Sequence, residues 1–215
     1  MTNFAAPLLL TLSIESAIGG GSIVLTENGT SLGEWIGKSE RPRAEEILER
    51  ISDLLRTAGR SVGDICKFAV SAGPGSFTGI RIGISTAMGL ASGAGKQLVT
   101  VNLFDAISSS SGIDHHHLIC LPMGRSKAVA FLFSGSKRTQ ENRRPFVVER
   151  KHLTALPSRR DPQTTHLFHS SLAEHFRGCI QAQNIGDNMA SAISKYLAAP
   201  DLRSSVPLFV GSTIN

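Results

Sequence analysis

Residues 71–91, SAGPGSFTGIRIGISTAMGLA, concentrate residue types that handle anions. A Gly-Pro-Gly turn leads into a segment where Gly79, Gly83, Ala87 and Ala91 recur every fourth residue. A glycine-rich turn at a helix N-terminus exposes backbone N–H groups to an anion. The two specific phosphate motifs are nevertheless broken. A Walker A loop ending at Gly95-Lys96 would need glycine where Leu90 stands and a hydroxyl where Gln97 stands. The dinucleotide fingerprint begins correctly at Gly73 and Gly75, but its third glycine is Gly79 rather than residue 78. Ser76 does not sit in a G-x-S-x-G elbow, so nucleophilic hydrolysis is not indicated. His115, His116 and His117 are consecutive and cannot all face one metal ion, so they read as a solvated loop. Cys66, Cys120 and Cys179 are odd in number, widely spaced and outside any CxxC pair. They read as buried thiols of a reducing compartment, with neither a disulfide framework nor a zinc site. Trp35 and Tyr196 are lone aromatics and read as core.

The row of small residues has a second meaning. Each glycine costs a helix about 1 kcal/mol relative to alanine, and close backbone approach to another element offsets that cost. Ile80, Ile84 and Met88 form a neighbouring apolar row. Such a helix suits packing on both sides, one against its own sheet and the other against the preceding helix or a partner protein. The alternative is that both sides are satisfied within the chain.

The elements that must position this segment follow from hydrophobic patterning. Strands are predicted at 8–14, 22–26 and 32–36, with Asn28-Gly29 supplying a tight hairpin turn. A helix follows Pro42, with Ile47, Leu48, Ile51, Leu54, Leu55 and Ala58 at three- and four-residue spacing and Gly59 as its C-cap. A strand at 68–71, the glycine helix, a strand at 98–101 and a helix from 103 fading near 108 complete a β-β-β-α-β-α-β-α order. Three antiparallel strands followed by alternating helix and parallel strand is the pattern of a ribonuclease-H-like domain. SSSSGIDHHH then marks a boundary, giving units at 1–110 and 111–215. In the second unit strands are predicted at 118–121, 128–133 and 146–148 and helices at 172–176 and 189–198, a reduced copy of the first.

The chain has 215 residues and a formal net charge of +5. Up to Asp105, nine Lys/Arg face ten Asp/Glu; beyond it thirteen face seven. Much of the excess lies between Arg125 and Arg160, including Arg143 and Arg144. That segment could follow a nucleic-acid backbone, although its lack of interleaved aromatics favours a solvated face with a flexible loop. The apolar run near the start lacks a basic flank and is broken by Thr11 and Ser13, so a buried strand is favoured over a signal peptide. No run approaches the roughly 20 apolar residues of a membrane span, and a cytoplasmic location is expected.

AGPGSFTGIRIGISTAMGLA closely resembles the signature of the TsaB (YeaZ) family. LSIESA resembles that family's first strand, with Glu15 in place of an aspartate. SERPRAEEILERISDLL resembles its first helix, with Arg43 where histidine is usual, and VTVNLFDAI and VPLFV resemble its later strand and its closing segment. The likeness is strongest over 8–107. In the second half LPMGRSKAVAFLF occupies the place of a family hairpin, with Pro122 and Met123 replacing Asp-Ala.

The resemblance implies an α/β fold of two ribonuclease-H-like lobes, that of the actin, Hsp70 and sugar-kinase (ASKHA) superfamily. It implies a non-catalytic partner of a TsaD-type transferase in making N6-threonylcarbamoyladenosine at position 37 of tRNAs reading ANN codons. A TsaE-type ATPase completes that system. ATP, metal and threonylcarbamoyl-adenylate are then expected on the partner proteins, with no cofactor or metal of the chain's own, and tRNA is met through the complex. The interface carried over from the family comprises Ile47, Leu48, Ile51, Leu55, Phe77, Gly79, Ile80, Gly83, Ile84 and Ala87, and a homodimer is expected without the partner. Glu15 and Ser16 mark a degenerate phosphate loop. The alternative is a stand-alone ATP-dependent kinase or ATPase of the same superfamily, which would need acidic residues at both phosphate loops.

Overall fold

A computed structural model describes residues 9–38, 44–133, 144–156, 163–179 and 181–199. Strands β1 (Leu10–Glu15), β2 (Ser22–Glu27) and β3 (Thr30–Ile36) form an antiparallel meander. Asn28 and Gly29 turn the hairpin with φ of 50° and 81°, the positive values a two-residue turn demands. Helix α1 (Ala44–Thr57), β4 (Lys67–Ser71), α2 (Phe77–Ala94), β5 (Gln97–Val101) and α3 (Leu103–Ser111) follow. β4 joins β1 in parallel and β5 joins β4, giving the order β3-β2-β1-β4-β5.

The second half repeats this plan. β6 (His117–Met123), β7 (Lys127–Phe133) and β8 (Phe146–Glu149) are antiparallel. β9 (Thr165–Phe168) and β10 (Ala182–Asn184) then add in parallel on the other side of β6. The order β8-β7-β6-β9-β10 is that of the first sheet, strand for strand. Where the first half has α1 and α2, the second has 3₁₀ segments at Arg150–Ala155 and Ser170–Phe176. α4 (Met189–Ala198) takes the place of α3.

Alternation along β1 divides the first sheet's two faces. Leu10, Leu12 and Ile14 point with Phe68 and Val70 toward α1 and α2. Thr11, Ser13 and Glu15 point the other way, where α4 of the second half lies across β1, β2 and β4. That face is small and polar. Ser22 Oγ accepts from Ala190 N at 2.9 Å, and Ser194 Oγ donates to Thr26 Oγ1 at 3.1 Å. α3 packs beside α4, and one buried cluster joins Ala69, Val99 and Phe104 to Ile119, Leu167 and Ile193. The core therefore runs from one sheet through the α3–α4 pair to the other.

Several expectations are corrected. α3 does not fade at 108 but continues through the serines to Gly112, a left-handed C-cap with φ of 68°. Its serines are bound: Ser111 Oγ donates to Ser108 O at 2.7 Å. The segment 172–176 lies in a 3₁₀ turn rather than an α-helix. β9 and β10 escaped the pattern because each is only three or four residues long. Residues 8, 39–43, 137–138, 143, 159–160 and 206–210, on which readings of Pro42, Arg43, Arg143 and VPLFV fell, lie outside the described residues.

Candidate functional site

The glycine-rich turn begins at the carboxyl end of β4. Ser71 Oγ accepts from Gly73 N at 3.1 Å, and Leu103 N donates to Gly73 O at 2.8 Å, tying the turn to the start of α3. Ser76 N donates to Ala17 O at 2.8 Å, and Ser76 Oγ caps α2 by accepting from Gly79 N at 3.4 Å. The small face of α2 lies on the β1–β2 turn. A Cβ at Gly79 would overlap the Ser16 carbonyl oxygen, and one at Gly83 would overlap Ser16 Oγ. Ser16 Oγ itself donates to Gly79 O at 2.8 Å. Close approach to the chain's own turn is therefore what the glycines provide.

Six of the ten interface residues named from the sequence are buried inside this half of the chain: Ile47, Ile51, Leu55, Gly79, Gly83 and Ala87. Their placement against the sheet corrects the expectation that they face outward, because the i, i+4 repeat that suits an interface equally suits a helix's inner face. Ile80 and Ile84 are half-buried. Leu48 on α1 and Phe77 and Met88 on α2 are exposed, Phe77 at 73 %. Arg81 lies over the Phe77 ring at 5.5 Å from its centroid, a cation–π pair on the same outer face.

Glu15 ends β1 and is fully buried. Its Oε1 accepts from Ala17 N and, at 3.0 Å, from Ile18 N. The two backbone N–H groups that follow the strand are thus held by the chain's own side chain. Oε2 is buried with no partner. Burial outweighs the two backbone hydrogen bonds and pushes the carboxyl up to about 8, so Glu15 is protonated at neutral pH.

A cavity of about 730 Å³ opens between the two halves. Ser16, Ala17 and Gly19 line it from the β1–β2 turn, and Ser76, Thr78, Gly79 and Ile82 from α2. Gly124 and Arg125 in the β6–β7 turn, Arg150 after β8, and His169 and Ser171 after β9 complete it. It therefore sits at the carboxyl ends of β1, β4, β6 and β9, the crevice where open α/β sheets bind ligands. Arg150 braces the hairpin, donating to Gly124 O at 2.8 Å and Lys127 O at 3.3 Å. His169 Nδ1 accepts from Ser171 N at 3.1 Å, which leaves the ring proton on Nε2, 3.4 Å from Asp187 Oδ1. Burial lowers the His169 pKa, against the pull of Asp187.

Arg150 was read from the sequence only as part of the basic stretch between Arg125 and Arg160, and His169 and Ser171 were missed. The last two follow β9, a short strand with no clear period, and only recognition of β9 as the counterpart of β4 could have found them. The histidine run resolves into a packing feature. His117 is buried and stacked on Phe133 with ring centroids 4.8 Å apart. Its Nδ1–H donates to His115 O and its Nε2 accepts from Ser108, both at 2.8 Å. Among the described residues no three His, Cys, Asp or Glu gather as a metal site, and no helix is long and apolar enough to cross a membrane.

Two duplicated sheets with a helix pair between them and a cleft at their carboxyl ends define an ASKHA-type fold. YeaZ from Pseudomonas aeruginosa shares it, with a TM-score of 0.59 and 18 % identity over 87 % of this chain and 90 % of that one. So does the ethanolamine utilization protein EutJ from Carboxydothermus hydrogenoformans, with a TM-score of 0.57 and 12 % identity over 91 % of both chains. The family described as TsaD, tRNA N6-adenosine threonylcarbamoyltransferase, matches residues 38–159. The chain belongs to this family. The Escherichia coli (strain K12) tRNA threonylcarbamoyladenosine biosynthesis protein TsaB is 40 % identical over 91 residues, 42 % of this chain and 39 % of that protein. The matched segments span about two fifths of the curated TsaB relatives, 39 % and 43 % of their lengths.

Proposed function

We propose that the chain is a non-catalytic partner of a TsaD-type transferase in forming N6-threonylcarbamoyladenosine in tRNA, docking through the outer surface of α1 and α2. The carrying observation is the exposed apolar group on those helices, Leu48, Phe77 and Met88, on a face whose inner side is already filled by the sheet. A phenylalanine exposed at 73 % beside an arginine combines two residue types enriched at protein interfaces. The names of the TsaB relatives and the family match support the pathway.

Glu15 supports the non-catalytic reading. Its carboxyl is buried outside the cavity lining, protonated and bonded to its own backbone at Ala17 and Ile18. ATP, metal and the threonylcarbamoyl-adenylate would then belong to the transferase and a TsaE-type ATPase. Exposed Arg125, Lys127 and Arg144 could meet tRNA within the assembly. The same α1–α2 surface would pair two copies when the transferase is absent.

The test is reconstituted modification of tRNA with the transferase and ATPase of the same source. Product formation should require this chain, survive Glu15→Gln, and fall at least tenfold with Phe77→Asp. Full modification without the chain, or loss of activity with a well-folded Glu15→Gln variant, would overturn the proposal.

A further inference from the structure

A smaller cavity, of about 230 Å³, lies where the end of α3, the start of α4 and β10 meet, and it shares no lining residue with the cleft between the halves. It is also remote from the outer face of α1 and α2, because α4 crosses the opposite face of the first sheet. Its floor is apolar, with Ile107 and Met189 both buried there. Among the described residues Lys195 is the one charged side chain lining it, and its ammonium has no ion pair or hydrogen bond with any of them. Ser191 stands four residues before Lys195, so the two share one side of α4. Asn188 is spent on the fold: its Oδ1 accepts from Ser191 N at 3.0 Å and its Nδ2 donates to Glu34 Oε2 at 2.8 Å. On the opposite wall Ser110 Oγ donates to Ile107 O at 3.2 Å and Ser111 Oγ to Ser108 O at 2.7 Å. Their protons are committed, so these hydroxyls offer a ligand only oxygen lone pairs.

The two walls therefore differ in sign. The α4 wall carries the Lys195 ammonium, the Ser191 hydroxyl and the positive end of a helix dipole, while the α3 wall carries serine oxygens at a negative end. A ligand that matches both has a carboxylate at one end and an ammonium at the other, and the floor between them calls for an aliphatic side chain. Size agrees: a cavity of about 150 Å³ holds benzene, so this one suits about nine non-hydrogen atoms and is too small for a nucleotide. We infer that this cavity binds a free amino acid with a small aliphatic side chain, its carboxylate at Lys195 and Ser191 and its ammonium at Ser110. Because α3 belongs to the first half and α4 to the second, the bound amino acid would span the joint between them. The inference goes beyond the docking proposal and is tested on the chain alone, at a different face, so either can fail without the other.

The experiment is an amide-resolved NMR titration of the full chain with leucine at neutral pH, repeated with 4-methylpentanoate, which lacks the ammonium, and 3-methylbutylamine, which lacks the carboxylate. Leucine should saturate one site in the low millimolar range, with shifts confined to the end of α3, β10 and the first turns of α4. Each truncated probe should bind at least tenfold more weakly. Lys195→Met should weaken leucine binding at least tenfold and Ser110→Ala several-fold, while Lys96→Met, at an exposed lysine outside the cavity, should leave it unchanged. Lys195 is exposed, so its variant should melt as the wild type does. Absence of saturable binding at tens of millimolar leucine would overturn the inference. So would equal affinity for either truncated probe, which would reduce the site to an apolar crevice or a point charge, or an equal loss with Lys96→Met.

Discussion

Replacing Glu15 by glutamine should make the protein more stable at alkaline pH and leave it no more stable at acid pH. Burial raises the folded-state pKa of Glu15 from 4.5 to about 8. Below pH 4.5 both folded and unfolded chains carry the proton. Between 4.5 and 8 only the unfolded chain releases it, so stability falls as pH rises, and above 8 the loss is complete. At about 1.4 kcal/mol per pH unit, that interval amounts to about 5 kcal/mol. The variant amide keeps the acceptor used by Ala17 and Ile18 but places an unpartnered N–H₂ where Oε2 lies, costing about 1–3 kcal/mol. The variant should therefore lead by about 2–4 kcal/mol near pH 8.5, or roughly 5–15 °C in Tm for a domain of this size. Near pH 5 the two should match or the wild type should lead. Urea unfolding at pH 5, 6.5 and 8.5 measures the difference, in which other titrating groups cancel. Parallel stability profiles for the two proteins would refute the buried, protonated assignment.

The glycines of α2 should rank by what surrounds them. Gly79→Ala meets the Ser16 backbone and should cost more than Gly83→Ala, which meets the rotatable Ser16 hydroxyl; both should destabilise by about 1–3 kcal/mol. Gly89→Ala meets nothing and should stabilise by up to about 1 kcal/mol, so equal effects at all three positions in denaturant titration would contradict the packing described. Ser22→Ala removes the acceptor of Ala190 N at the buried seam between the halves and should cost about 1–2 kcal/mol. Unchanged stability would show that the seam does not depend on that bond.

The first half of the fold was legible because its elements are long and carry a period. α1 shows its inward face at Ile47, Ile51 and Leu55, and α2 shows its small row at Gly79, Gly83, Ala87 and Ala91. The direction of those faces was not legible. Periodicity reports that a face is special, but only the position of Ser16 beneath α2 shows that the face is internal. The second half was legible as strands β6, β7 and β8 and helix α4 and as a reduced copy of the first, but β9 and β10 were not, because they are short and 3₁₀ turns replace the helices that would have announced them. For the same reason the cavity was invisible. Its walls come from five separate segments, one of them after β9, a strand too short to recognise. Glu15 was found as a departure from a family pattern, while its burial and its hold on Ala17 and Ile18 required coordinates.

The claim that the outer face of α1 and α2 is a docking surface is tested most directly by size-exclusion chromatography with light scattering. The chain would be run alone and mixed with the TsaD-type transferase of its own source, beside Phe77→Asp and Leu48→Asp. These variants suit the test better than Gly83→Trp, whose side chain would collide with Ser16 and disturb the fold itself. A stable complex with the wild type, lost in both variants while their melting temperatures hold, is the expected result. Co-elution of Phe77→Asp as strong as that of the wild type, or no complex with a folded transferase, would contradict it.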